Sequence, residues 1–210
     1  MIMLPDLLNL ILHVDTFLAA LVSDYGLWVY ALLFLIIFLE TGLVVTPFLP
    51  GDSLLFTVGV LAAAGLFNIW LVFGLLAVAA ILGDTINYWI GAKIGPRAFS
   101  GKYRFLRRDY LDAAHSFYEK HGGKTVVLAR FVPLIRTFAP FVAGIGRMTY
   151  TRFLSYNVVG GVAWVAAFLT AGYFLGSVPF VRENLSLVII AIIVVSIVVA
   201  LAEMARHRKA

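Results

Sequence analysis

The chain has 210 residues, of which 62% are apolar and 13% charged, and it contains no cysteine. That balance lies outside the soluble globular range and reads as a polytopic membrane protein of one domain, while the missing cysteine removes disulfides, thiolate metal sites and thiol nucleophiles. The net charge of +5 comes from sixteen Lys and Arg that all lie at or after Lys93, clustered beside apolar spans, which marks topology rather than a nucleic-acid footprint.

Residues 1–26 hold no basic residue, so the n-region of a signal peptide is missing. Asp6, Asn9, His13, Thr16, Ala20 and Ser23 fall at steps of three and four and form one polar stripe. This predicts an N-terminal amphipathic helix lying in the interface, with a spanning helix whose stripe turns inward as the competing reading. Residues 27–92 form a first repeat. In it, Glu40 follows thirteen uncharged residues, Leu27 to Leu39, and Asp52 follows Pro47, Pro50 and Gly51. A carboxylate at bilayer depth costs about 2.5–3.5 kcal/mol on insertion scales, so Glu40 and Asp52 should face a cavity or a partner. Both prolines lack an N–H donor and disfavour helix before them, which predicts a turn between Thr46 and Gly51. Irregular backbone at that depth survives only against protein or water, and a re-entrant hairpin follows.

Asn68 to Ala92 is a spanning helix of 25 residues. Residues 93–124 then carry eight basic residues against three acids, which places this loop in the cytoplasm, with a surface helix suggested by Leu106, Tyr110, Ala113 and Phe117. Residues 125–176 form a second repeat. Thr125 to Gly146 is apolar except for Arg130 and Arg136 and is broken by Pro133 and Pro140. If it crossed once, Arg147, Arg152, Arg206, Arg208 and Lys209 would all lie outside; if it enters and returns as a second re-entrant hairpin, those five are cytoplasmic and only Arg182 is external. The charge count favours the hairpin. Phe153 to Gly176 then spans outward, and in residues 177–210 the stretch Leu185 to Ala202 spans back to a basic cytoplasmic tail.

Tyr88-Trp89-Ile90-Gly91 and Tyr173-Phe174-Leu175-Gly176 match at an offset of 85, which also brings the Pro47–Pro50 break near Pro133. The fold class expected is therefore an all-α inverted repeat, two re-entrant hairpins each followed by a spanning helix, and paired interrupted segments of this kind point to a transport site. Glu40 and Asp52 on one tip would approach Arg130 and Arg136 on the other. Two readings are weighed: ion pairs that brace the tips, and a site in which the guanidinium forks receive a phosphate headgroup while the carboxylates tune it or exchange protons. The second is preferred. Asp84 and Tyr88 are secondary candidates, Asp84 being equally suited to a buried helix-helix hydrogen bond. Gly91, Gly95, Gly160, Gly161, Gly172 and Gly176 read as close packing, and Trp28, Trp70 and Trp89 as interfacial anchors.

Glu40-Thr-Gly with Pro47-Phe-Leu-Pro-Gly-Asp52, Gly83-Asp-Thr-Ile-Asn-Tyr-Trp-Ile-Gly91, and Arg130-Phe-Val-Pro-Leu-Ile-Arg136 running to Ala143-Gly144 resemble the DedA family of bacterial inner-membrane proteins, related to the eukaryotic SNARE-associated or VTT-domain proteins. The resemblance covers residues 27–176 in family order. It implies two facing re-entrant hairpins, a multi-pass place in the inner membrane, and flippase transport of a lipid carrier, notably polyprenyl (undecaprenyl) phosphate, with the proton motive force as proposed driver. It assigns importance to Glu40, Asp52, Arg130 and Arg136. Partners expected are an anionic lipid substrate, membrane lipids and protons, with no nucleic acid and no cofactor or metal; a homo-oligomer is compatible. A phospholipid flippase or scramblase is the alternative, and an intramembrane headgroup enzyme the rival from another class. The enzyme is disfavoured because Asp84 sits in Leu-Gly-Asp without a Tyr-Asp partner, no His-Glu-x-x-His occurs, and the hairpins contain no His.

Overall fold

The structure is a computed structural model that describes residues 26–43, 51–98, 123–131 and 133–178, with Val181, Leu187 and Ala191. Regular structure among these residues is helical: α1 Trp28–Gly42, α2 Gly51–Ala63, α3 Ile69–Ala98, α4 Lys124–Ala129, α5 Pro133–Ile145 and α6 Tyr150–Leu175. The expected N-terminal helix, the turn bearing Pro47 and Pro50, most of the basic loop, and the last spanning segment with its tail lie outside the described residues. Among the described residues, two helices are long and apolar enough to cross a membrane, Ile69–Ile94 within α3 and α6. By contrast α1 and α2 have 15 and 13 residues, about 22 and 20 Å at the α-helical rise, and fall short of a hydrocarbon core of about 30 Å.

Helix ends follow local chemistry. Gly51 opens α2, and Gly65, with φ +83°, closes it in a Schellman motif in which the Leu66 N–H donates to the Leu61 carbonyl and the Gly65 N–H to that of Ala62. Asn68 then caps α3, its Oδ1 accepting from the N–H groups of Trp70 and Leu71 at 3.1 Å. α3 runs on past Ala92 to Ala98, six residues beyond the expected boundary.

Pro133 starts α5, where its missing N–H costs nothing, and the expected break at that proline falls between α4 and α5. Pro140 corrects the expectation. It lies inside α5 and does not break the chain. Its fixed φ suits a helix, and the only backbone bond lost is the one its absent N–H would have given the Arg136 carbonyl.

Contacts divide the chain into two compact units, one of residues 1–36, 50–76 and 165–210, the other of residues 37–49 and 77–164. In the first, α2 meets the C-terminal half of α6 backbone to backbone. A Cβ on Gly172 would run into the Phe56 carbonyl, and one on Gly59 into that of Leu169. In the second, α5 meets the C-terminal half of α3 in the same manner: a Cβ on Gly91 would strike the Phe141 carbonyl, and one on Gly144 that of Tyr88. Small residues of this kind let apolar helices approach to dispersion distance where no hydrophobic effect drives them together. Tyr88, Val126, Ala143, Met148 and Phe153 form the core of the second unit, with the Tyr88 and Phe153 rings stacked at 4.5 Å.

Candidate functional site

The polar groups of the second unit gather on the inward faces of α3 and α6. Along α3 the exposed side chains Val78, Leu82, Ile86 and Trp89 are apolar, whereas Ala80, Gly83, Asp84 and Asn87 are buried. A helix that is apolar outside and polar inside suits lipid on one face and a shielded cluster on the other.

Glu40 is 1% exposed and stands in the last turn of α1, where the negative end of the helix dipole disfavours a carboxylate. Arg136 of α5 answers it with an ion pair, Nη2 to Oε1. The same guanidinium lies over the ring of the buried Trp164 of α6, 5.0 Å from its centroid, a cation–π contact. α1 comes close enough because Gly42 and Gly83 face one another where α1 and α3 cross; a Cβ on Gly83 would meet the Thr41 hydroxyl and the Phe38 carbonyl.

Arg130 follows α4 as its C-cap and is 4% exposed. Its Nη2 forms an ion pair with Asp84 Oδ2 and donates to Asn157 Oδ1 of α6 at 2.6 Å. Asn157 in turn donates to the Ile81 carbonyl at 3.0 Å. The Arg130 stem and guanidinium lie against Gly160 and Gly161, whose Cβ atoms, if present, would approach Arg130 Cδ at 3.1 Å and Nη1 at 3.4 Å. A Cβ on Gly160 would also meet Val127 Cα at 3.3 Å, so these glycines give the close helix packing expected and make room for a charged side chain besides. Asn87 ties three helices, its Nδ2 donating to the carbonyls of Thr41 at 3.2 Å and Thr137 at 2.8 Å.

Glu40, Thr41, Asp84, Arg130, Arg136, Thr137 and Trp164 line one cavity of about 10 Å³. That is room for about one water molecule and not for a phosphate group. The cluster holds two guanidiniums and two carboxylates in apolar surroundings, where removal of any one charge leaves its partner buried. Among the described residues, no group of His, Asp and Glu has a metal-site arrangement.

The expected residues thus distribute as follows. Glu40 pairs with Arg136, and Arg130 with Asp84, a secondary candidate in the sequence. Asp52 is buried in the first turn of α2 and belongs to the other unit. Tyr88 serves the core, its hydroxyl donating to the Met148 carbonyl, and does not line the cavity. Asn87, Asn157 and Trp164 were not expected. Their signal was an amide or an indole deep within an apolar span, where Trp28 and Trp70 instead sit at helix starts and are 73% and 80% exposed.

Residues 49–174 match the VTT domain family. Protein DedA of Escherichia coli (strain K12) is 56% identical over 207 residues, which cover 97% of this chain and 94% of that relative. An uncharacterized membrane protein of Mycobacterium tuberculosis is 49% identical over 179 residues, 84% of this chain and 78% of its own. The Inner membrane protein YqjA of Escherichia coli (strain K12) is 40% identical over 151 residues, 71% of this chain and 69% of its own. No solved structure matches the chain. With the family match covering more than half the chain and a 56% identical relative running along nearly all of it, this chain belongs to the VTT-domain family of DedA-like membrane proteins.

Proposed function

We propose that this protein is a transporter, not an enzyme, that moves an anionic lipid carrier across the bacterial inner membrane, with polyprenyl phosphate as the substrate that best joins a phosphate to a membrane-resident tail. Arg130 and Arg136 bind the phosphate; Glu40 tunes the site or exchanges protons with it. The observation that carries this reading is the buried cluster of two guanidiniums and two carboxylates around a shared cavity on the inward faces of apolar helices. Guanidinium forks match phosphate oxygens, and in low dielectric an incoming anion competes directly with the carboxylates already there.

The re-entrant, inverted architecture belongs to the same reading. Its support is that each unit has a short helix interlocked through glycines with the C-terminal half of a spanning helix, and that Trp89 near the end of α3 lies 5.2 Å, ring to ring, from Tyr150 at the start of α6. A chain that returns to the level it left has entered the membrane without crossing it. Repeats so interrupted carry substrate sites near the midplane.

The test is movement of polyprenyl phosphate in proteoliposomes under an imposed pH gradient, scored beside thermal stability. Arg136→Lys keeps the charge but loses the fork, and transport should fall at least tenfold, about 1.4 kcal/mol, with folding near normal. Glu40→Gln should lose the response to the gradient. If the pairs only brace the fold, each single change should instead destabilise by about 3–5 kcal/mol, and Glu40→Gln combined with Arg136→Met should restore stability. Retained gradient-driven transport in Glu40→Gln would remove its proton role.

A further inference from the structure

Arg130 is held in a way that leaves it able to change partners. Nη2 takes both the Asp84 carboxylate and the Asn157 amide oxygen and also reaches the Ala80 carbonyl at 3.4 Å, so the polar contacts crowd onto one nitrogen. Nε is buried and has no hydrogen-bond acceptor among the described residues. A buried N–H without an acceptor forfeits its desolvation energy, so the guanidinium has an unused donor for a further oxygen. Gly160 and Gly161 present no side chain to it. The cavity beside it is water-sized, so a phosphate reaches Arg130 only if something already there yields.

Asp84 is the group that must yield. We infer that Asp84 is an internal competitor for Arg130: with Asn157 it holds the guanidinium until an anionic headgroup takes its place. This rests on the anionic-lipid reading above and adds to it a positioning residue whose charge sets the affinity of the site. The amide of Asn157 remains as a neutral partner through the exchange, which keeps Arg130 from losing all its contacts at once.

Because one nitrogen touches both residues, the carboxylate can be moved from one side of Arg130 to the other. Hexadecyl phosphate serves as the probe and hexadecanol as its uncharged counterpart, with binding to the detergent-solubilised protein measured beside thermal unfolding. Asp84→Asn removes the competing charge and keeps the shape; it should bind hexadecyl phosphate about tenfold tighter than wild type. Asn157→Asp adds a second competitor and should bind about tenfold weaker. The double variant Asp84→Asn with Asn157→Asp should return close to wild type. A brace makes the opposite prediction for the first variant: Asp84→Asn would leave Arg130 without its counter-charge and lose thermal stability with no gain in affinity. Affinity in Asp84→Asn that is unchanged or weaker therefore overturns the inference, as does Asn157→Asp that binds as tightly as wild type. Should Asp84→Asn fail to fold, the sign of the change in Asn157→Asp decides alone. If wild type itself does not distinguish hexadecyl phosphate from hexadecanol, the anionic-lipid reading falls and the exchange with it; if it does distinguish them but the order of the variants fails, only the exchange falls.

Discussion

Arg147 adopts a left-handed backbone, φ +51°, two residues after the end of α5. Its N–H donates to the Gly144 carbonyl and the Met148 N–H to that of Ala143, a Schellman closure of the kind that Gly65 makes after α2. At the first stop the chain has glycine; at the second it has a side chain whose Cβ crowds the following carbonyl, at a cost of about 1 kcal/mol. Arg147→Gly should therefore raise thermal stability in detergent by up to about 1 kcal/mol, less the extra entropy of an unfolded glycine. A lowered melting temperature would mean that the Arg147 side chain makes a contact worth more than the strain. At this scale the charged residues announced themselves in the sequence, because an ionisable group inside an apolar run has few innocent explanations. Which carboxylate meets which guanidinium did not: Glu40 was expected opposite either arginine, and the pairing with Arg136 follows from where α5 begins, which a linear spacing does not contain. Asn157 escaped for a related reason, since a neutral amide in a spanning helix costs little enough to pass as ordinary packing.

Between elements, the glycine interlocks bring helix backbones into direct contact. Gly91 against the Phe141 carbonyl and Gly172 against the Phe56 carbonyl are backbone contacts, which no side-chain rotamer can relieve. Gly91→Ala and Gly172→Ala should each destabilise by about 1–3 kcal/mol, while Ala at Gly74, where nothing lies within 4 Å, should be neutral or stabilising; thermal unfolding of the three variants checks it. Equal stability of Gly91→Ala and wild type would show that α3 and α5 can part without loss. These contacts also refine the internal repeat. The sequence match aligned Gly91 with Gly176 at an offset of 85, yet by packing Gly91 corresponds to Gly172, while Phe56 with Phe141 and Gly59 with Gly144 keep the offset of 85. One helical turn separates the two alignments: four residues leave a helix face nearly unchanged, while the aromatic-aromatic-aliphatic-Gly pattern recurs only at the offset of 85. Pro140 shows the limit of reading breaks from composition: a proline near the middle of a short helix removes a single bond, and α5 continues through it.

For the molecule as a whole, the distribution of basic residues and the geometry of the second unit bear on the same question of sidedness. Lys93 stands near the end of α3, and Arg147 and Arg152 flank the start of α6. The Tyr88 and Trp89 rings of α3 pack on Tyr150 of α6 at 5.7 and 5.2 Å, so these two basic ends lie at one level. Positive charge concentrates on the cytoplasmic side of membrane proteins, so the topology we propose has α3 running inward and α6 outward. In that proposed topology α4 and α5, of 6 and 13 residues, are each too short to reach the far face. Reporter fusions after Lys120 and after Lys209 should both report cytoplasm, and a fusion between Val178 and Asn184 should report the outside. A C-terminal reporter found outside would require the segment from Thr125 to Gly146 to cross completely, leaving Arg182 as the only basic residue inside among those after Gly146, and the proposed inverted repeat would be lost.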